Sequence, residues 1–216
     1  MSNHHPDDIT MLDYTAGTLP MAQSLAIAVH LFLCESCRSR AAQLNTLGGV
    51  VLEQSTPQNI SVQDFDQFMA DLDENLTNTA EPTKMEGSRQ HPLAQFLPER
   101  LTDINWRQQT KEIAEYDLSS ALGASGYRVA LQKIKAGARV PEHTHKGQEL
   151  TVILNGGFSD ELGVYHAGDF IARDASHKHT PTALQNEDCI CLTVLDAPIK
   201  FTGPFLRWFN LFFNWK

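Results

Sequence analysis

Apolar positions recur at helical spacing along the first fifty residues. Ile9, Leu12 and Ala16 predict a short amphipathic helix over residues 5–16 that stops at Gly17. Pro20 opens a second helix, Met21 to about Leu33. Its Leu25, Ile27, Ala28, Val29, Leu31 and Phe32 make it apolar over much of its circumference, so it should be buried between neighbours. A third helix leads through Ala41, Leu44 and Leu47 to Gly48-Gly49. After a flexible connection over residues 53–60, Ser61-Val62-Gln63-Asp64 has the form of a capping box. The fourth helix that follows carries Phe65, Phe68, Met69, Leu72 and Leu76 in one stripe, with Asp66, Asp71, Asp73 and Glu74 opposite. Such a stripe is either a core face or a surface that lies in a partner's groove. Residues 77–92, with Pro82, Gly87 and Pro92, read as a linker.

From about Ile104 the period changes to two. Residues 127–134, 149–154 and 189–195 are β-rich runs separated by Gly, Pro and Asn turns, the pattern of an all-β sandwich or barrel. The aromatic tail over residues 205–215 has only Arg207 and Lys216 nearby for charge. A packing flap or a contact between two copies of the chain fits it better than a membrane-surface helix.

Composition narrows the class. At 216 residues the chain can build one large or two modest cores, and 42% hydrophobic with 20% charged residues is ordinary for a soluble protein. No apolar run approaches the roughly 18 to 20 residues of a membrane span. The N-terminus, with His4, His5, Asp7 and Asp8, lacks the basic and apolar regions of a signal peptide. Four cysteines without an export signal point to metal or redox chemistry in a reducing cytoplasm. The net charge of -9 is concentrated in residues 1–80, where ten acidic residues face only Arg38 and Arg40. That half should repel nucleic acid and favour a basic protein partner.

The chemistry begins at His30, Cys34 and Cys37. The spacing H-x3-C-x2-C puts all three on one side of helical turns, as three of the four ligands of a closed zinc site. A zinc ion there would pin a helix hairpin too small to hold by packing alone. From spacing, His5 is the first choice for the fourth ligand and His4 the alternative, while Asp7, Asp8 or water could also complete the site.

A second constellation sits in the β region. His143 and His145 alternate onto one face of a strand, Glu149 follows a turn, and His179 ends a run that begins at Gly168. Three imidazoles and a carboxylate suit zinc, iron, manganese or nickel. The pattern H-x-H-x3-E, then a glycine and a histidine eleven residues after it, resembles the two cupin motifs. Pro141 and Gly156 also fit, whereas His177 falls two residues early.

Together the two halves resemble the ChrR family of zinc-dependent anti-sigma factors. The resemblance covers His4-His5, Tyr14-Thr-Ala-Gly-Thr-Leu19, the His30/Cys34/Cys37 cluster and the cupin quartet. It implies an α + β chain in two domains: a zinc-binding helical bundle over residues 1–85 and a cupin-like β-barrel over residues 93–216. It implies zinc on His5, His30, Cys34 and Cys37, and a divalent metal, zinc first among the choices, on His143, His145, Glu149 and His179. The helical part would hold an extracytoplasmic-function sigma factor away from core RNA polymerase. The cupin would be needed for release under singlet oxygen or organic hydroperoxides.

Cys189 and Cys191, on one face of a strand, are candidates for sensing, though buried cysteines in such a run are usually inert packing. The rival class is a metal-dependent cupin enzyme, a dioxygenase or isomerase with a helical appendage. Only His166 and His177 stand near the motif as further acid–base groups, and both read as solvated loop residues.

Overall fold

The structure is a computed structural model that describes residues 2–57, 61–76, 90–98 and 103–202. Its contacts divide the chain into two compact units: residues up to Asn45 together with those from His91 on, and residues Thr46–Gln90. The aromatic tail and most of the expected linker lie outside the described residues.

In the first unit, α1 (Asp8–Thr15) is capped by the Asp7 carboxylate, which accepts the Thr10 N–H at 2.7 Å. The expected apolar stripe is not the face it buries. Met11 is covered, whereas Ile9 and Leu12 are 74% and 51% exposed. A helix of two turns packs through one main side chain, and Met11 takes that place in the core with Tyr14 beside it. Helix α2 (Met21–Leu33) starts after Pro20 as expected, and it buries Ala22, Leu25, Ala26, Ile27, Val29 and His30. Cys34 takes extended dihedrals, which ends α2 and opens α3 (Glu35–Gln54). That helix continues through Gly48-Gly49, where the sequence pointed to an end. Neither glycine takes a positive φ, so the cost is only the helix-interior penalty of about 1 kcal/mol each.

The β region has twelve strands among the described residues, all paired antiparallel. The largest sheet has six: β2 (Ile113–Asp117), β3 (Arg128–Ile134), β11 (Cys189–Leu195), β5 (Glu149–Asn155) and β8 (Phe170–Arg173) follow β1 (Arg107–Gln108) across it. A second sheet joins β10 (Thr182–Ala183), β6 (Gly157–Asp160) and β7 (Gly163–His166), and a third joins β12 (Ile199–Phe201), β4 (His143–His145) and β9 (Lys178–His179). The result is a cupin-like β-sandwich, not the closed barrel expected. Strands of two and three residues, such as β9, β10 and β4, are too short to carry a continuous ladder around.

Strands β5 and β11 are buried on both faces, which is why they read as nearly unbroken apolar runs. Leu150, Val152, Leu192 and Val194 pack with Leu25, Ala26 and Val29 of α2, while Ile153 and Cys189 join the inner core with Phe158 and Tyr165. The first helices therefore share one core with the sandwich.

The second unit contains the end of α3 and α4 (Val62–Leu76). Ser61 caps α4 by accepting the Asp64 N–H at 3.1 Å, and its hydroxyl donates to the Asp64 carboxylate at 2.6 Å. Phe65, Phe68, Met69 and Leu72 are all exposed, as are Leu47, Val50, Val51 and Leu52. No helix among the described residues is long and apolar enough to cross a membrane.

Two candidate metal centres

The first centre forms where α2 gives way to α3. One ligand atom from each of His5, His30, Cys34 and Cys37 lies within 4.8 Å of the others. His5 Nδ1 is 3.5 Å from Cys34 Sγ and 3.3 Å from Cys37 Sγ. Tetrahedral zinc with ordinary bond lengths would separate such nitrogen and sulfur atoms by about 3.5 Å. His4 points elsewhere: its Nδ1 lies 3.2 Å from Asp169, and its ring meets Tyr165 edge-on at 4.7 Å.

The protonation pattern suits a cation. Burial pushes His30 down to about 4, so the imidazole is neutral at pH 7. Its Nδ1–H donates to the Gly168 carbonyl at 2.9 Å, which leaves the Nε2 lone pair for the cluster. Nε2 is buried and has no hydrogen-bond partner among the described residues. Burial raises Cys34, but hydrogen bonds from Ser36 and Cys37 outweigh it and bring the thiol down. Burial and the neighbouring Cys34 charge push Cys37 up to about 11. A metal ion would offset both the buried lone pair and the paired thiolates.

The second centre forms where the sheet of β12, β4 and β9 meets the start of β5. His143 and His145 share one face of β4, and His179 of β9 pairs directly with His143. Glu149 enters from the first residue of β5. The Nε2 of His179 lies 3.1 Å from that of His143 and 3.2 Å from that of His145, and Glu149 Oε2 is 3.1 Å from His145 Nε2. His143 Nδ1–H donates to the Pro141 carbonyl at 2.8 Å, and His179 Nδ1–H to Asp160 at 3.0 Å. Those bonds fix tautomers whose Nε2 lone pairs face one another, an arrangement that a cation relieves. Burial lowers His143, and it lowers His145 to about 4.

Several residues here carry no motif in the sequence. The Asp160 side chain is fully buried and accepts from His179, from the Leu162 and Gly163 N–H groups, from the Tyr165 hydroxyl and from Arg173. Burial raises Asp160, but the bonds from His179 and the Leu162 N–H, with the Arg173 charge, overcome it and hold the carboxyl at about 2. Arg173 also donates to the Tyr165 hydroxyl at 2.5 Å. Asp169 follows the motif glycine, and a Gly-Asp pair in sequence signals only a turn.

The remaining candidates lie apart. His166 is exposed, and His177 bonds locally to Asp174 at 2.8 Å. Cys189 and Cys191 are free thiols at 0% and 2% exposure. A hydrogen bond with Cys189 and burial push the Cys191 thiol well above its ordinary range. A cavity of about 720 Å³ opens beside His5, lined by Asp7, Asp13, Gln148 and Arg173, and none of the four cupin-cluster residues lines it.

Fold and clusters define a cupin-like protein with a second candidate metal centre seated on its helices. The family model described as the ChrR cupin-like domain matches residues 98–198. The chain is 37% identical over 212 residues to the anti-sigma-E factor ChrR of Cereibacter sphaeroides, across 94% of this chain and 98% of that one. It belongs to the ChrR family. In the crystal structure of Rhodobacter sphaeroides SigE in complex with the anti-sigma ChrR, one chain aligns with a TM-score of 0.74 and 36% identity, covering 91% of this chain and all of that one. An RmlC-like cupin protein from Ralstonia eutropha aligns with a TM-score of 0.42 and 20% identity over 49% of this chain.

Proposed function

We propose that this protein is a zinc-dependent anti-sigma factor, in which residues 1–85 bind an extracytoplasmic-function sigma factor and deny it core RNA polymerase. The observation that carries the reading is the alignment, over 91% of this chain, with a ChrR crystallised in complex with SigE. Residues 93–216 are the cupin that governs release under singlet oxygen or organic hydroperoxides. The setting is the cytoplasm, where the polymerase works and thiols stay reduced. Zinc fills the first centre because thiolate and imidazole donors in tetrahedral array suit it, and zinc serves the cupin cluster equally well.

The physical support lies in two surfaces. Phe65 and Phe68 of α4 are 53% and 58% exposed, and Val51 and Leu52 of α3 are 61% and 74% exposed. Apolar helix faces left open in this way mark protein contacts. The acidic charge of residues 1–80 complements a basic partner and disfavours direct binding of nucleic acid. Regulation, not turnover, fits the cupin cluster: His143, His145 and His179 are 4%, 3% and 4% exposed, which leaves a substrate little approach.

The test mixes the full-length protein with a purified extracytoplasmic-function sigma factor from the same organism, with and without a strong zinc chelator. Light scattering after gel filtration should give a one-to-one complex that the chelator abolishes. A two-to-two complex would add a contact between copies, for which the aromatic tail over residues 205–215 is the candidate. Absence of any complex with fully metallated protein would reject the anti-sigma reading.

A further inference from the structure

Only two of the four groups at the first centre, Cys34 and Cys37, are placed by the helices alone. His30 stands on α2, but its ring is held by the Gly168 carbonyl of the turn between β7 and β8. His5 follows a segment tied to the same turn. Asn3 N–H and His4 N–H donate to Asp169 Oδ1 at 2.7 and 3.2 Å, and Phe170 N–H donates to the His4 carbonyl at 3.0 Å. Ser2 Oγ donates to the Gly168 carbonyl at 2.9 Å. Asp169 is 1% exposed and also accepts the His166 N–H at 2.9 Å. A buried carboxylate with this many donors is fixed in place, and the strap from Ser2 to His4 is fixed with it.

We propose that the Gly168–Asp169 turn is the outer shell of the first metal centre, so that the cupin sets how tightly that centre holds its metal. The inference rests on that centre being a zinc site. Ligand histidines that lose the partner which orients them typically lose 10- to 100-fold in metal affinity. Here the partners belong to the cupin, and the ligands they orient belong to the helices. The same β7–β8 segment carries Tyr165 and Arg173, which hold Asp160, which in turn holds His179. Both centres are therefore held by the one segment that runs from β7 into β8, and a change at the cupin cluster has a short mechanical route to His5 and His30. Asp169 and Gly168 are positioning residues. Neither offers the metal an atom.

The experiment uses the full chain and three variants: Asp169→Ala, Asp169→Asn and Asn3→Pro. Asn3→Pro deletes one donor of the strap and leaves every cupin side chain in place, so it remains informative if Asp169→Ala fails to fold. Zinc affinity is read by competition with a chromogenic chelator. Cobalt substitution reports the first centre alone through its thiolate charge-transfer band. Asp169→Ala should lose on the order of 10- to 100-fold in zinc affinity. Asp169→Asn, which keeps one acceptor oxygen, should lose less. Asn3→Pro should weaken zinc without lowering the unfolding temperature of the sandwich. In Asp169→Ala and Asn3→Pro the visible cobalt spectrum should shift as His5 leaves. Unchanged affinity and spectrum in folded Asp169→Asn and Asn3→Pro would overturn the inference. A parent protein with no thiolate–cobalt band would instead overturn the zinc reading beneath it.

Discussion

Asp160 holds His179 through a 3.0 Å bond to Nδ1, and both side chains are sealed from solvent. The carboxylate fixes the tautomer that turns Nε2 toward His143 and His145. Asp160→Asn should therefore lower metal affinity at the cupin cluster by about 10- to 100-fold, whatever the metal. Metal content after graded chelator treatment measures it, with Tyr165→Phe as a milder companion that removes one donor to Asp160. Full retention of metal by Asp160→Asn would mean the carboxylate only balances Arg173.

Phe65 and Phe68 are more than half exposed, so replacing both with Ser should change stability by less than about 1 kcal/mol. The same pair of changes should weaken sigma-factor binding by at least about 100-fold, because aromatic anchors dominate interface energies. Calorimetric titration beside a thermal melt separates the two effects. A double variant that binds normally would make the stripe a bystander.

How much of this was legible in the sequence depends on the range of the interaction. The spacing of His30, Cys34 and Cys37 is local, and a helix followed by a tight break turns it directly into a cluster. His143 and His145 share a face because side chains alternate along a strand. Spacing only ranks His5 ahead of His4. The choice depends on Asp169, some 165 residues away in the chain, which accepts the His4 ring and backbone. Asp160 and Arg173 were invisible for the same reason. The apolar circumference of α2 predicts burial but names no partner, and in the structure that partner is the sheet formed by β5 and β11. For α4 the stripe was read correctly, but amphipathicity alone does not say whether a face is covered.

Proton release gives a test of the first centre that needs no variant. Cys37 is pushed up to about 11 by burial and by the charge on Cys34, so at neutral pH it carries its proton until a metal displaces it. Zinc affinity should rise as pH rises, by about tenfold per unit between pH 6 and 8 for that one proton. Titration in buffers of different ionisation enthalpy counts the protons released. A count of zero would exclude Cys37 as a ligand.

The strand cysteines should behave as core residues in the resting protein. Burial and the hydrogen bond with Cys189 keep the Cys191 thiol protonated, and protonated thiols alkylate slowly. Iodoacetamide followed by mass spectrometry should leave Cys189 and Cys191 unlabelled until the sandwich unfolds. Rapid labelling of the native protein would reveal an opening of β11 and return both cysteines to the list of oxidant sensors. The matching genetic test replaces both with Ser and asks whether the oxidant response survives.

Two glycines with positive φ allow a graded prediction. Gly168 (φ +94°) turns the chain so that its carbonyl meets His30, and an added Cβ would find only ordinary contacts, at 3.7 Å from Ser2 and 4.0 Å from Leu33. Gly156 (φ +66°) is different, because a Cβ there would lie 2.5 Å from the Asp188 backbone oxygen. Gly168→Ala should cost roughly 1–2 kcal/mol from backbone strain alone. Gly156→Ala adds a steric clash that only movement of the strand end can relieve, so it should cost more and lower the melting temperature further. Their effects on zinc should run in the opposite order. Gly168→Ala shifts the acceptor of the His30 ring itself and should loosen the first centre, whereas Gly156→Ala reaches the turn only through the Ala167 N–H that its carbonyl accepts at 3.1 Å. If the two variants weaken zinc in proportion to their loss of stability, the effect is general loosening of the fold. If Gly168→Ala weakens zinc out of proportion, the turn acts on the centre directly.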